Sequence, residues 1–208
     1  LEKRYKHPVF MLNDVQASAI AEKVYGSGKG KDNFIVMCIG NGIGVGVVID
    51  GKLYRGNNGY ACEAGHMSIN YNGERCSCGN RGCYELYATE GRLLKKSKSK
   101  DVRDMMNKYV HKDPLTIRVM DEFIQVTSIA MTNLINIFDP ECIIVGSSAA
   151  SFHKNIIKQI EYLVNLSCIQ RRQKYIKVSA SNLKDTSIVI GAGSIVFDQL
   201  LEGKIALL

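Results

Sequence analysis

Apolar and polar positions divide the chain into short blocks of two kinds. Near-continuous apolar runs over His7–Leu12, Phe34–Ile39 and Cys142–Val145 predict buried strands. Val45–Ile49 followed by Asp50-Gly51 and Lys52-Leu53-Tyr54 predicts a strand, a tight turn and a returning strand. Ala17, Ala19, Ile20, Ala21 and Val24 support a helix from Val15 to Tyr25, with Asn13-Asp14 able to cap it, and Gly26-Ser27-Gly28-Lys29-Gly30 breaks it off. Helical spacing returns at Glu85–Ala88 and Leu93-Leu94. Leu115, Val119, Phe123, Val126, Ala130, Leu134 and Ile137 then step by three or four residues along a long amphipathic helix that ends near Asp139-Pro140. Helices over 152–166 and 187–202 and a strand over 176–178 complete the pattern. Strands and helices alternate in the second half, as in an α/β sheet covered by helices.

Two stretches fit neither period. Residues 95–113 are polar and lysine-rich and predict a small helical excursion. Between Gly56 and Gly82 the chain is dense in glycine, asparagine and cysteine, and a loop of that length in a compact domain is usually functional or tied by a metal.

Composition narrows the function classes. Of 208 residues, 46% are apolar and 23% charged, which excludes a disordered chain, and no apolar run reaches the roughly 18 residues of a membrane span. The 27 Lys and Arg against 20 Asp and Glu give a formal charge of +7. The basic clusters at Lys95–Lys100 and Gln170–Lys174 carry no interleaved aromatics and no helix-turn-helix, so they read as solvated surface and not as a nucleic-acid face. Seven cysteines, an odd number, with three in one polar loop, favour a reducing compartment and a metal over disulfides.

The candidate chemistry lies around that loop. Cys76-Ser77-Cys78-Gly79-Asn80-Arg81-Gly82-Cys83 offers three thiols on a turn of small residues, with His66 ten positions upstream, and Cys3His is a common structural zinc set. Glu63 and Glu85 flank it, and carboxylates accept hydrogen bonds from sugar hydroxyls; either glutamate also reads as an ordinary surface residue. Asn13-Asp14 at the end of an expected strand can bind a ligand or remove a hydroxyl proton, and serves equally well as a helix cap. Gly40-Asn41-Gly42-Ile43-Gly44-Val45-Gly46 can bring backbone amides to phosphate oxygens, but it lacks the lysine of a P-loop and is equally a tight β-turn.

Taken in order, Asn13-Asp14, Gly42-Ile43-Gly44-Val45-Gly46, Asp50-Gly51, Glu63-Ala64-Gly65-His66 and Cys76 to Glu85 closely resemble the ROK family, which holds sugar-responsive repressors of the NagC and XylR type and bacterial sugar kinases. The resemblance implies an α/β fold, the C-terminal lobe of an actin-like ATPase (ribonuclease H-like) fold, with a mixed sheet flanked by helices and a zinc-stapled loop. It implies a single lobe over 1–208, with a sugar- and zinc-binding part at 8–90, a lysine-rich insertion at 91–113 and a helix-rich α/β part at 114–208. The N-terminal lobe and any DNA-binding domain would lie upstream. Structural zinc would be held by His66, Cys76, Cys78 and Cys83, and a monosaccharide by Asn13, Asp14, Glu63, His66 and Glu85. In a kinase member Asp14 would be the catalytic base, and Gly42, Gly44 and Gly46 would face the phosphates of ATP and its magnesium.

Three features depart from the kinase pattern. Asn41 stands for a threonine, Ser147-Ser148 follows Gly146 where kinases carry a glycine pair, and Cys62 replaces a glycine before Glu63. The first two fall on the nucleotide side, whereas every sugar and zinc position is kept. The implied function is therefore the sugar-binding effector domain of a transcriptional regulator, with an ATP-dependent hexose kinase as the alternative. The regulator would be a cytoplasmic homodimer that reaches DNA only through an upstream domain and has no membrane partner.

Overall fold

The computed structural model describes residues 1–183 and 186–201. A short helix α1 (Glu2–Tyr5) and an extended segment lead into α2 (Asp14–Tyr25). Strands β1 (Phe34–Ile39), β2 (Ile43–Ile49) and β3 (Lys52–Leu53) follow, then the long loop, then helices α3 (Glu85–Ala88), α4 (Glu90–Ser97), α5 (Val102–Val110) and α6 (Pro114–Phe138). Strand β4 (Cys142–Gly146), helix α7 (Lys154–Ser167), strand β5 (Lys177–Ala180) and helix α8 (Ser187–Leu201) complete the described chain. The final helix expected to run to 202 meets there a residue outside those described.

The five strands form one sheet in the order β3-β2-β1-β4-β5. β1 pairs antiparallel with β2 and parallel with β4, and β4 pairs parallel with β5, so the sheet is mixed. Alternation along β1 assigns its two faces. Phe34, Val36 and Cys38 meet Val15 and Ala19 of α2, while Ile35, Met37 and Ile39 join the larger core under α6 and α7. Helices therefore cover both faces.

Local chemistry sets the helix ends. Asn13 Oδ1 accepts the Gln16 N–H at 2.7 Å and Gln16 reaches back to the Asn13 N–H, a reciprocal cap that starts α2. Asp113 accepts the Thr116 N–H ahead of Pro114, and Asp139 ends α6 in the left-handed region, just before Pro140. Burial alone would raise the Glu161 carboxyl, but donors from Tyr175, the Val178 N–H and Lys177 hold it below the usual range and join α7 to β5.

One expected strand is absent. Residues 7–12 form no strand, and only Phe10 and Leu12 among them are partly covered. This apolar run joins neither edge of the open sheet, β3 or β5; the Val9 N–H is donated to Glu2 Oε1 at 3.0 Å, and the Met11 carbonyl accepts from the Arg55 guanidinium. It lies instead along α2 and α8, where Phe10, Met11 and Leu12 border a groove with Ile188, Ala192 and Ile195. Gly191 permits the closeness of those helices, since a Cβ there would run into the Ala17 carbonyl. The lysine-rich excursion folds as the end of α4 and as α5.

Candidate metal centre and cleft

The 56–84 segment contains no strand of the sheet; it is held by turns, two isolated bridges (Ser68 with Cys83, Arg75 with Arg81) and side-chain bonds to its own carbonyls. Gly79 and Gly82 have φ of +96° and +60°, and a Cβ on Gly82 would collide with the Asn70 carbonyl, so the turn closes only with glycine. This folding brings His66, Cys76, Cys78 and Cys83 together with their ligand atoms all within 4.8 Å of one another. Cys76 Sγ lies 3.6 Å from His66 Nδ1, and Cys78 Sγ lies 3.6 Å from Cys83 Sγ. Tetrahedral zinc with Zn–S near 2.3 Å and Zn–N near 2.0–2.1 Å requires edges of about 3.8 Å between sulfurs and about 3.6 Å between sulfur and nitrogen. The donor set and its spacing therefore fit a zinc ion, and four protein donors leave no open coordination position.

The electrostatics of the group agree with that fit. The Cys78 N–H, with help from the neighbouring side chains, pulls the Cys76 thiol down to about 6. Burial and the adjacent thiols push Cys83 up to about 12. One of these thiols is therefore eased towards the thiolate and the other held from it, and a divalent cation among them would favour both thiolates.

Between the last of these cysteines and the glutamate beyond it stands Tyr84, fully buried, whose Oη donates to Thr127 Oγ1 of α6 at 2.9 Å. The ring anchors the loop in the main core and sets the start of α3. Glu85 then accepts the Ile43 N–H on Oε2 at 2.9 Å, joining α3 to the first residue of β2.

A cleft of about 840 Å³ opens beside this junction, lined by Asn13, Asp14, Glu63, Glu85, Gly42 and Gly44 among others. Four of the five sugar candidates thus share one cavity. The fifth, His66, is not among its lining residues and belongs to the metal cluster. Gly46 also lies off the cleft, under α2, where a Cβ would meet Ala19 Cβ and the Val15 carbonyl at 2.9 Å. Asn13 is committed through Oδ1 to the α2 cap, and Asp14 Oδ1 accepts the Val15 N–H at 2.8 Å.

Several lining residues were not singled out by sequence reasoning. Glu90 opens α4, Asp101 and Arg103 sit at the start of α5, and Ser151 closes the 3-10 turn after β4. Nothing in the pattern of 95–113 signals that α5 turns its first residues to the cleft. The two noted glycine replacements have a backbone signature: Cys62 at φ +70° and Ser147 at φ +56° hold the left-handed conformation without being glycine, and both border the cleft. Burial, then the nearby Glu63 charge, push the Cys62 thiol up to about 11, so it is not a reactive thiolate at neutral pH.

Comparison with known proteins gives a consistent picture. The model of the ROK family matches residues 1–199. The xylose repressor of Bacillus subtilis (strain 168) is 36% identical over 206 residues, covering 97% of this chain and 54% of that protein. The crystal structure of a ROK family transcriptional regulator, a homologue of the Escherichia coli MLC protein, superposes with a TM-score of 0.86 at 28% identity over 98% of this chain and 56% of that one. A ROK family glucokinase from Streptomyces griseus, solved with glucose and AMPPNP, gives a TM-score of 0.84 at 25% identity over 93% of this chain and 70% of that one. The chain spans about half the length of the curated repressors it matches.

Proposed function

The chain belongs to the ROK family, and on that premise we propose that it is the sugar-binding effector part of a NagC/XylR-like transcriptional regulator, braced by structural zinc. The observation that carries the reading is a single cleft containing Asn13, Asp14, Glu63 and Glu85, the last of them one helix start away from a four-donor metal cluster. Hydroxyl groups of a monosaccharide donate to these carboxylates, and the Asn13 side chain can add to the same network. His66, Cys76, Cys78 and Cys83 hold the ion, which fixes the loop and so the aim of Glu63 and Glu85. With its coordination closed, the ion supplies folding energy and not Lewis-acid chemistry.

In this reading the sugar binds one arrangement of the cleft better than another and biases a DNA-binding domain elsewhere in the full-length protein. The regulator acts as a homodimer in the cytoplasm, where a reducing milieu keeps thiols available for metal; all seven cysteines are free of disulfides here. Among the described residues no helix is long and apolar enough to cross a membrane. The glucokinase neighbour favours a second reading, an ATP-dependent hexose kinase in which Asp14, at the cleft and at the start of α2, takes the proton of the attacking hydroxyl.

Titration calorimetry of the full-length protein against free monosaccharides tests the proposal. Saturable binding of one of them, with release of the protein from operator DNA by the same sugar in a gel shift, supports it. Turnover of that sugar with MgATP, abolished by Asp14→Asn, replaces it with the kinase. Silence towards every sugar overturns both.

A further inference from the structure

We infer that Asn41 is a self-modifying site: its side-chain amide is lost to attack by the Gly42 main-chain nitrogen, which leaves an aspartate or isoaspartate in the turn at the cleft and weakens ligand binding as the protein ages. The loss of affinity rests on the sugar-binding reading; the modification does not. Asparagine followed by glycine is the pair most prone to this reaction, because glycine has no side chain to keep its nitrogen from the amide carbon. The chain contains three such pairs, Asn41-Gly42, Asn58-Gly59 and Asn72-Gly73, and the fold treats them differently. Gly73 is buried and donates its N–H to the Asn70 carbonyl at 2.8 Å, and a Cβ there would strike Tyr87 Oη and Gly82 Cα. That nitrogen is engaged and has no room to swing towards the Asn72 side chain. Asn41 and Gly42 are both exposed between β1 and β2, and among the described residues neither the Asn41 side chain nor the Gly42 N–H has a hydrogen-bond partner. Asn58 is exposed as well, with its Oδ1 accepting from Asn57 Nδ2 at 3.0 Å, and the Gly59 N–H likewise meets no acceptor among the described residues.

The Gly42 nitrogen gives its proton to solvent and bonds to Asn41 Cγ; the Cγ–Nδ2 bond breaks and ammonia leaves, closing a cyclic imide. Water then opens the ring. Cleavage of the new Cγ–N bond leaves an ordinary aspartate, whereas cleavage of the original peptide bond routes the main chain through the side-chain carbonyl as isoaspartate. One water is consumed and one ammonia released, with no oxidant and no cofactor. Because the attacking nitrogen must shed its proton, the rate rises with pH. Either product puts a carboxylate where Asn41 and Gly42 line the cleft. Glu85 Oε2 is already there, 3.2 Å from where a Gly42 Cβ would stand and 2.9 Å from the Ile43 N–H it accepts. The new charge repels it. Isoaspartate also lengthens the short link between Ile39 and Ile43, which face each other across the strand pair.

Full-length protein aged at mildly alkaline pH, native and in parallel unfolded in urea, tests this by peptide mapping with fragment mass spectra, which read each conversion as a gain of about 1 Da. In native protein the converted fraction at Asn41 should exceed that at Asn72 at least fivefold, with Asn58 converting too; in urea Asn72 should draw level. Calorimetry with D-glucose and D-xylose should then show affinity for the bound sugar reduced at least threefold in Asn41→Asp, and a loss in aged protein that tracks conversion at Asn41. Asn58→Asp changes a residue outside the cleft lining and should bind as wild type does. Thermal melts confirm that each variant is folded. Native conversion at Asn41 no faster than at Asn72, or Asn41→Asp that binds sugar as tightly as wild type, overturns the inference while leaving sugar sensing intact. Preferential conversion at Asn41 in a protein that binds neither sugar supports the modification and counts against the effector reading instead.

Discussion

The two walls of the cleft present the same kind of polar group by different means. Asn13 and Asp14 are presented by a helix start, whose reciprocal cap involves residues only three apart and whose helix is buried on the sheet. Glu63 and Glu85 flank a segment that contributes no strand to the sheet, held by glycine turns, by Tyr84 in the core and, in the proposed function, by a metal. A side chain on a regular element inherits its aim from the backbone ladder, whereas one on an irregular loop needs a cross-link. The first wall should therefore survive loss of the cluster, and the second should not.

The largest effect is expected from Cys78→Ser in the full-length protein. Elemental analysis should show loss of bound zinc, the melting temperature should fall, and sugar affinity should drop at least tenfold. Gly82→Ala attacks the same wall without touching a ligand. A Cβ in the left-handed region and against the Asn70 carbonyl should cost about 2–4 kcal/mol in denaturant unfolding, with partial loss of metal. Tyr84→Phe removes one buried hydrogen bond and leaves Thr127 unpaired, for about 1–2 kcal/mol; adding Thr127→Val should recover much of it, since both partners are then apolar. Asn13→Ala tests the other wall. It should cost about 1 kcal/mol as a lost cap, with metal content unchanged. Lys96→Ala, which breaks a half-exposed pair with Glu122, should stay within about 0.5 kcal/mol.

How much of this was legible in the sequence follows the same division. Elements whose burial is periodic, such as β1, β2, α2 and the 25-residue α6, announce themselves because one face or both must be apolar. The four metal candidates were legible because three thiols on a glycine turn satisfy no packing need. The 7–12 segment misleads because its apolar residues match a buried strand, whereas in the structure it joins neither edge of the sheet and runs beside α2 and α8. Asp101, Arg103 and Glu90 were invisible for a related reason. Their place at the cleft depends on how α4 and α5 pack, and a polar stretch carries no signal of direction. In the sequence, capping and ligand binding are alternatives for Asn13-Asp14, yet in the structure Asn13 caps α2 while both residues line the cleft.

In the proposed function, an ion at His66, Cys76, Cys78 and Cys83 aims the glutamate wall at a sugar. This role is tested most directly by calorimetric titration of the full-length protein with its sugar, before and after complete zinc removal by a chelator, with circular dichroism to follow the fold. Affinity should fall at least tenfold on stripping and return when zinc is restored, with most of the helical signal persisting throughout. Sugar affinity that is unchanged in protein proven free of metal would contradict it.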